Sequence, residues 1–133
     1  TYKCCEVVYP IMKTGGSIIN ISSIGSLLAM KDNPGYVASK GGINSLTRSL
    51  AEDYSKKKIR VNAILPGYIK TSMTEKSYKN FKKKNERQNK SIINRWGEPK
   101  DLIGVIVFLA TKSSSFVTGA NIPIDGGFSI KGV

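Results

Sequence analysis

Two short runs of β-branched and other apolar residues, SIINIS at 17–22 and IRVNAIL at 59–65, most strongly limit how this chain can fold. Each run has the length and composition of a buried strand. The segment between them predicts one long helix from Pro34 to about Lys56, with Asn33 as its N-cap. A strand, a helix and a second strand in this order favour a right-handed crossover between two parallel strands.

The predicted long helix has two distinct faces. Its apolar positions recur at steps of three and four residues, namely Ile43, Leu46, Leu50 and Tyr54. A second face carries small residues, namely Ala38, Gly41, Gly42 and Ser45. Glycine costs a helix about 1 kcal/mol relative to alanine, so two of them indicate that another backbone comes close. A subunit interface is the preferred interpretation, and packing on the sheet is the alternative.

The remaining segments continue the alternation of helices and strands. Residues 3–13 are predicted to form a first helix, although Pro10 removes a hydrogen bond from its interior. Residues 70–95 are predicted to form a long basic excursion from the alternating helices and strands. Residues 102–110 are apolar nearly all round and predict a buried helix, and a third strand is predicted within 117–127. The apolar or small positions of the first helix are Cys4, Val7, Val8 and Ile11. We therefore predict an α/β chain whose three-stranded parallel sheet is truncated on one side.

Composition excludes several kinds of site. The chain has no histidine, so it cannot form a Ser-His-Asp triad or an HExxH zinc site, and no metal site is predicted. Its two cysteines, Cys4 and Cys5, are adjacent and predict buried or semi-buried thiols in a reducing compartment. Acid–base chemistry near neutral pH must therefore come from Tyr, Lys, Asp, Glu or a thiol.

The charge balance is strongly basic, with a formal net charge of +12. Most of the basic residues are lysine, and aromatic residues do not alternate with them as in a stacking surface for bases. Nucleic acid is therefore not a predicted partner. No apolar run approaches the roughly 18 residues of a membrane span, so no membrane association is predicted and a cytoplasmic location is expected.

The pattern Tyr-x-x-x-Lys occurs four times, and its context separates one occurrence from the rest. Tyr36 and Lys40 stand in the first turns of the capped helix, and Ser23 lies just after the first strand. Pro66 and Gly67 follow the second strand, and ligands of parallel α/β sheets bind outside the carboxyl ends of strands. These residues are therefore predicted to meet at one edge. The other pairs are Tyr9/Lys13, Tyr54/Lys58 and Tyr78/Lys82.

Several motifs follow one another along nearly the whole chain. They are NISS ending at Ser23, Tyr36-x-x-x-Lys40, VNAILPG, PGYIKT, RWGEP and SSFVTGANIPIDGG. Together they resemble the C-terminal half of the short-chain dehydrogenases/reductases, in particular members similar to 3-oxoacyl-acyl-carrier-protein reductase and gluconate 5-dehydrogenase. The resemblance implies the C-terminal part of a Rossmann-like doubly wound parallel sheet. It also implies hydride transfer between NAD or NADP and a small-molecule carbonyl or alcohol.

The resemblance also implies roles for individual residues. Tyr36 is the expected general acid–base, and Ser23 is expected to orient the substrate oxygen by a hydrogen bond. Lys40 is expected to bind the ribose hydroxyls of the cofactor and to act on the tyrosine, because a nearby cation stabilises a phenolate. The expected cofactor contacts are Ile21, Ser22, Tyr36, Lys40, Pro66, Gly67, Ile69 and Thr71.

Simpler structural roles stay open for several of these positions. Ser22 and Ser23 can be turn residues, and Thr71 can cap the excursion that follows it. Tyr68 and Trp96 can either border the substrate pocket or simply pack. The lysines of residues 70–95 can favour an anionic substrate, although a solvated surface is the preferred interpretation.

The glycine-rich turn that holds the cofactor phosphates in this family has no counterpart in the chain. We therefore expect residues 1–133 to be a single partial domain, the C-terminal half of the family's Rossmann fold, preceded by an upstream portion and inactive alone. A homo-oligomer, dimer or tetramer, is also implied. The alternative function is a non-catalytic fragment or pseudoenzyme that contributes an oligomer interface.

Overall fold

A three-stranded parallel sheet forms the centre of the structure, a computed structural model that describes residues 1–132. The strands are β1 (Ser17–Ile21), β2 (Arg60–Pro66) and β3 (Asn121–Ile124), and they lie in the order β1-β2-β3. The side chains of residues 61–65 in the central strand are completely buried. The predicted α/β class, with three parallel strands, is confirmed.

Five α-helices flank the sheet within the described residues. They are α1 (Tyr2–Val8), α2 (Pro34–Asp53), α3 (Glu75–Lys79), α4 (Phe81–Lys90) and α5 (Lys100–Ala110). Between residues 1 and 132, none of them has the length and apolar character that crossing a membrane requires.

The crossover helix α2 and the helix α5 cover opposite faces of the sheet. Val61 of β2 packs in one cluster with Leu50 of α2. Arg60, the preceding residue of the strand, donates from Nη2 to the carbonyl oxygen of Leu109 in α5 at 2.8 Å. Successive side chains of a strand point to opposite faces, so α2 and α5 lie on different sides.

Helix α2 carries the predicted apolar stripe but ends earlier than predicted. Leu50 and Tyr54 are buried in the core, and Ile43 and Leu46 are partly buried. The helix ends at Asp53 and is followed by a 3-10 turn, after which residue 58 adopts a left-handed conformation with φ of 53°. Asn33 occupies the N-cap position as predicted, but its side chain makes no capping hydrogen bond.

The small-residue face of α2 does not pack on the sheet. A side-chain carbon added at Gly41 or Gly42 would meet no other atom within 4 Å. Packing on the sheet, the alternative interpretation of this face, is therefore wrong. The subunit interface stays a prediction.

The first helix is shorter than predicted and buries a different residue. It ends at Val8, ahead of Pro10, whose ring is incompatible with a helix interior. Cys5 is buried, whereas Val7 and Ile11 of the predicted stripe are exposed. Cys4 is also exposed, so only one of the two free thiols is buried as predicted. Burial raises the pKa of the Cys5 thiol.

Helix α5 is less buried than its composition predicts. Leu109 is fully buried, but Ile103, Val107 and Phe108 are 57%, 54% and 39% exposed. The prediction of a helix buried all round is therefore wrong for the described residues, because the sheet covers one side of α5 only.

Arg60 joins the central strand to the end of α5. Its guanidinium donates to the carbonyl oxygens of Leu109 and Thr111 at 2.8 and 3.2 Å, and to Ser114 Oγ at 2.7 Å. The last carbonyls of a helix have no partner within the helix, so a cation at this position is favourable. Ser114 is completely buried, so these bonds lie within the packing between β2 and the end of α5.

Replacing Arg60 with methionine is expected to lower the free energy of unfolding of the complete gene product by about 2 kcal/mol, because buried acceptors lose a charged donor. Urea denaturation measures the change. Arg48→Met is the matched control, since Arg48 is exposed and donates only to Ser45 on its own helix. Equal stabilities of the two variants would contradict this role of Arg60.

Candidate active site

The ends of the three strands bring the predicted site residues to one edge of the sheet. Ser23 follows β1, Pro66 and Gly67 stand at the end of β2, and Asp125 follows β3. A side-chain carbon on Gly67 would lie 2.7 Å from Cβ of Asp125, so only glycine allows this approach. The prediction that Ser23 and Pro66-Gly67 share one edge, which concerns position alone, is confirmed.

Ser23 is buried at the start of a 3-10 turn formed by residues 24–26. Its Oγ accepts a hydrogen bond from the backbone N–H of Gly25 at 3.0 Å. Its carbonyl oxygen accepts a bond from Ser26 Oγ at 2.5 Å. Ser23 therefore has the structural role of a turn residue, and its hydroxyl hydrogen is not used in either bond.

Tyr36 and Lys40 lie one turn apart on α2, with the Lys40 Nζ 5.8 Å from the centre of the Tyr36 ring. Lys40 Nζ donates to the carbonyl oxygen of Ile21 at 3.1 Å, and the Lys40 carbonyl accepts from Ser22 Oγ at 3.0 Å. The backbone carbonyl and the side-chain ammonium of Lys40 are thus both bonded to residues at the end of β1.

Gly25 connects Ser23 with Tyr36. Its N–H is bonded to Ser23, and a side-chain carbon at this glycine would stand 3.0 Å from Cε1 of Tyr36. The backbone of the turn therefore lies directly against the tyrosine ring. Ser23, Tyr36 and Lys40 are brought together as the sequence predicted.

The tyrosines of the other three Tyr-x-x-x-Lys patterns have structural roles. Tyr54 is buried in the core and stacks on Tyr9 with ring centres 4.1 Å apart. Burial raises the pKa of Tyr54. Tyr78 lies between the ammonium groups of Lys70 and Lys84, each 4.7 Å from its ring centre.

Tyr36 borders an open groove of about 1180 Å³. Tyr68 and Phe128 line both this groove and a smaller cavity of about 250 Å³. Trp96 is buried, packs on Tyr68 at 5.5 Å between ring centres, and donates from its indole N–H to the carbonyl of Lys84 at 3.0 Å. Of the two aromatic residues whose role was open, Tyr68 therefore borders the groove, whereas Trp96 packs against Tyr68.

The segment after Pro66-Gly67 is fixed by local hydrogen bonds. Ile69 is buried and forms an isolated parallel bridge with Gly97. Thr74 Oγ1 accepts from the Thr71 N–H at 3.0 Å and donates to the Ile69 carbonyl at 2.6 Å. Thr71 thus has the capping role that was the alternative to a cofactor contact, and its exposed position leaves its side chain accessible.

An ion pair holds the turn that contains Gly97. Both carboxylate oxygens of Asp101 accept from the guanidinium of Arg95, at 2.7 and 2.9 Å. These bonds, and one from the Glu98 N–H, lower the pKa of Asp101 to about 2. The stabilisation is complete above the ordinary aspartate pKa of 3.8 and is lost as the pH falls through about 2.

Three residues at this edge were not predicted from the sequence. Gly25 contacts Tyr36, Asp125 packs on Gly67, and Arg87 lines both the groove and the cavity. The SSIGS and IDGG segments did contain a signal for the first two, because glycine and small residues mark close backbone approaches. Arg87 had no distinguishing signal, since it stands among many lysines.

Comparison with known proteins identifies the family. Residues 1–129 match the family profile described as enoyl-(acyl carrier protein) reductase. The chain is 40% identical over 124 residues to 3-oxoacyl-(acyl-carrier-protein) reductase FabG of Thermotoga maritima, covering 93% of this chain and 50% of that protein. The chain belongs to the short-chain dehydrogenase/reductase family.

Solved structures agree with this assignment. A 4-hydroxyisoleucine dehydrogenase complexed with NADH superimposes with a TM-score of 0.93 and 33% identity, over 98% of this chain and 55% of that one. A Burkholderia cenocepacia gluconate 5-dehydrogenase in complex with NADP and tartrate gives a TM-score of 0.89 and 29% identity, over 96% and 49%. The Rossmann-like class expected from the resemblance is confirmed, and NAD or NADP is the cofactor class of these relatives.

The chain spans about half the length of the relatives that it matches. The comparisons therefore establish the family of the chain but not its activity.

Replacing Gly25 with alanine is expected to lower the free energy of unfolding of the complete gene product by about 1 kcal/mol. The new methyl group would press on Cε1 of Tyr36 and on Met30 Sδ, each 3.0 Å away. Thermal or urea denaturation measures the change. Gly35→Ala is the matched control, since no atom lies within 4 Å of the added carbon. A Gly25 variant as stable as the control would show that the turn is not closely packed against Tyr36 and Met30.

Proposed function

We propose that this chain provides the acid–base part of an NAD(P)-dependent oxidoreductase site, with Tyr36 as the general acid–base. The observation that carries the proposal is the position of Tyr36, which borders an open groove with an ammonium group 5.8 Å from its ring centre. Ser23 accepts a hydrogen bond from the N–H of Gly25, and the backbone of Gly25 lies against the same ring.

The proposed chemistry follows from the donors at this edge. In the reducing direction, the Tyr36 hydroxyl gives its proton to the carbonyl oxygen of the substrate, to which Ser23 donates a hydrogen bond. The ammonium of Lys40 stabilises the phenolate that remains, because opposite charges attract strongly in a partly buried site. Oxidation of an alcohol uses the same groups in reverse. A bound nicotinamide supplies or accepts the hydride.

The residues present fit a nicotinamide cofactor. An ammonium has three N–H donors, and Lys40 uses one of them on Ile21, so two can bind ribose hydroxyls. Ile21 and Ser22 stand beside Lys40 at the end of β1. Pro66 and Gly67 line the same edge, followed by Ile69 and Thr71. We assign the cofactor contacts to these residues.

A second candidate function is that of a non-catalytic family member that contributes an oligomer interface. Two surfaces favour it. Helix α5 exposes Ile103, Val107 and Phe108, and the face of α2 at Gly41 and Gly42 is open. Apolar side chains in this number on one helix are suited to contact with a second copy.

Tyr36→Phe is expected to reduce turnover of the complete gene product by at least about 100-fold, because general acid–base catalysis contributes that much or more. The affinity for NADH and NADPH should change little, since the phenol acts on the substrate oxygen. Turnover of a panel of carbonyl compounds and alcohols, and a fluorescence titration with each cofactor, measure the two quantities.

Tyr78→Phe is the matched control, because it removes the same hydroxyl from a tyrosine held between two lysines. Wild-type turnover in the Tyr36 variant would overturn the assigned role. Absence of turnover by the unmodified protein across the panel, together with oligomer formation, would favour the non-catalytic candidate.

A further inference from the structure

Arg87 lines the groove that Tyr36 borders, and its side chain is held in place. Its guanidinium carbon lies 4.4 Å above the centre of the Tyr68 ring and 5.9 Å from that of Trp96. Its Nη1 also donates to Ser77 Oγ. Cation–π contacts with two aromatic rings restrict the guanidinium and reduce the entropy lost when it binds a partner.

Arg87 has no carboxylate partner within residues 1–132. The ion pairs of this part of the chain join Lys3 to Glu6, Lys79 to Glu75, Arg95 to Asp101 and Lys100 to Glu98. Arg95, the other arginine beside the smaller cavity, is therefore already neutralised, whereas Arg87 is not. A partly buried guanidinium with unused N–H donors matches the two oxygens of a carboxylate.

The charges around Arg87 favour an anion in the groove. Three lysines also line it, and Glu86 is its only carboxylate among the described residues. The cationic lining residues are Lys31, Arg87, Lys90 and Lys131. A groove whose charged residues are mostly positive raises the local concentration of a negatively charged substrate.

We propose that Arg87 binds a carboxylate of the substrate while Tyr36 acts on its hydroxyl or carbonyl group, so that the enzyme acts on hydroxy and oxo acids. This inference rests on the proposed function of Tyr36. In the oxidation of a hydroxy acid, the C–H bond gives a hydride to NAD(P)+ and the O–H bond gives a proton to the Tyr36 phenolate. The C=O bond forms, and the carboxylate on Arg87 is unchanged.

The test compares hydroxy acids of three to six carbons with their neutral amides, using the complete gene product and either NAD+ or NADP+. The acids are expected to be oxidised with a kcat/KM at least about tenfold above that of the amides. Isothermal titration of each acid and amide to the cofactor-bound protein provides a second readout that does not depend on turnover.

Arg87→Gln is expected to raise KM and Kd for the acids about tenfold or more, with little change in kcat and no change for the amides. Arg87→Lys should recover only part of the loss, because an ammonium cannot make the bidentate hydrogen bonds that a guanidinium makes to a carboxylate. Lys82→Gln is the charge-matched control on the same helix, since Lys82 is exposed and does not line the groove.

Equal kinetics for acids and amides, or an acid preference that survives Arg87→Gln, would overturn the proposal, as would failure of every acid to bind or react. If Tyr36→Phe abolishes turnover of neutral alcohols in the same panel, the proposed function stands even where the Arg87 proposal fails. Unchanged turnover in Tyr36→Phe overturns the proposed function instead.

Discussion

Two hydrogen bonds between the end of β1 and the second turn of α2 hold the candidate site together. The carbonyl of Lys40 accepts from Ser22 Oγ at 3.0 Å, and its ammonium donates to the carbonyl of Ile21 at 3.1 Å. Tyr36 lies one turn earlier on the same rigid helix, so these bonds also fix its ring relative to Ser23. The close approach of Gly25 to that ring leaves the tyrosine little freedom to move away. The geometry of the site therefore depends on the crossover between β1 and α2.

The basic residues of the chain serve several different purposes, although together they give a net charge of +12. Arg60 binds the carbonyls that end α5, and Lys57 binds those of Tyr9 and Pro10 at 3.0 and 2.9 Å. Arg95 is paired with Asp101. Arg87 instead lies on aromatic rings beside the groove. Net charge alone would have favoured a single cationic surface that binds anions. The contacts instead distinguish the cations with structural roles from one cation positioned to bind a ligand.

The sequence predicted the strands and the position of Tyr36, Lys40 and Ser23, because hydrophobic periodicity and strand order determine which side chains meet at a sheet edge. The sequence was less informative about which faces of the helices are buried. The apolar residues of α5 indicated burial all round, but only Leu109 is fully covered within residues 1–132. Arg87 could not be distinguished from the lysines around it, because its contact with Tyr68 depends on how α4 folds back on the loop after β2. Thr71 remained ambiguous because capping and ligand contact require the same kind of residue.

The proposed function places the reaction of a nicotinamide cofactor with its substrate at the edge formed by Ser23, Tyr36 and Lys40. A crystal structure of the complete gene product with bound NADH or NADPH tests this most directly. We expect Lys40 Nζ to lie within hydrogen-bond distance of the ribose hydroxyls next to the nicotinamide, and the nicotinamide ring to lie between Pro66-Gly67 and the Tyr36 hydroxyl. A nicotinamide ring bound away from this edge, with Lys40 still bonded to Ile21 alone, would contradict it.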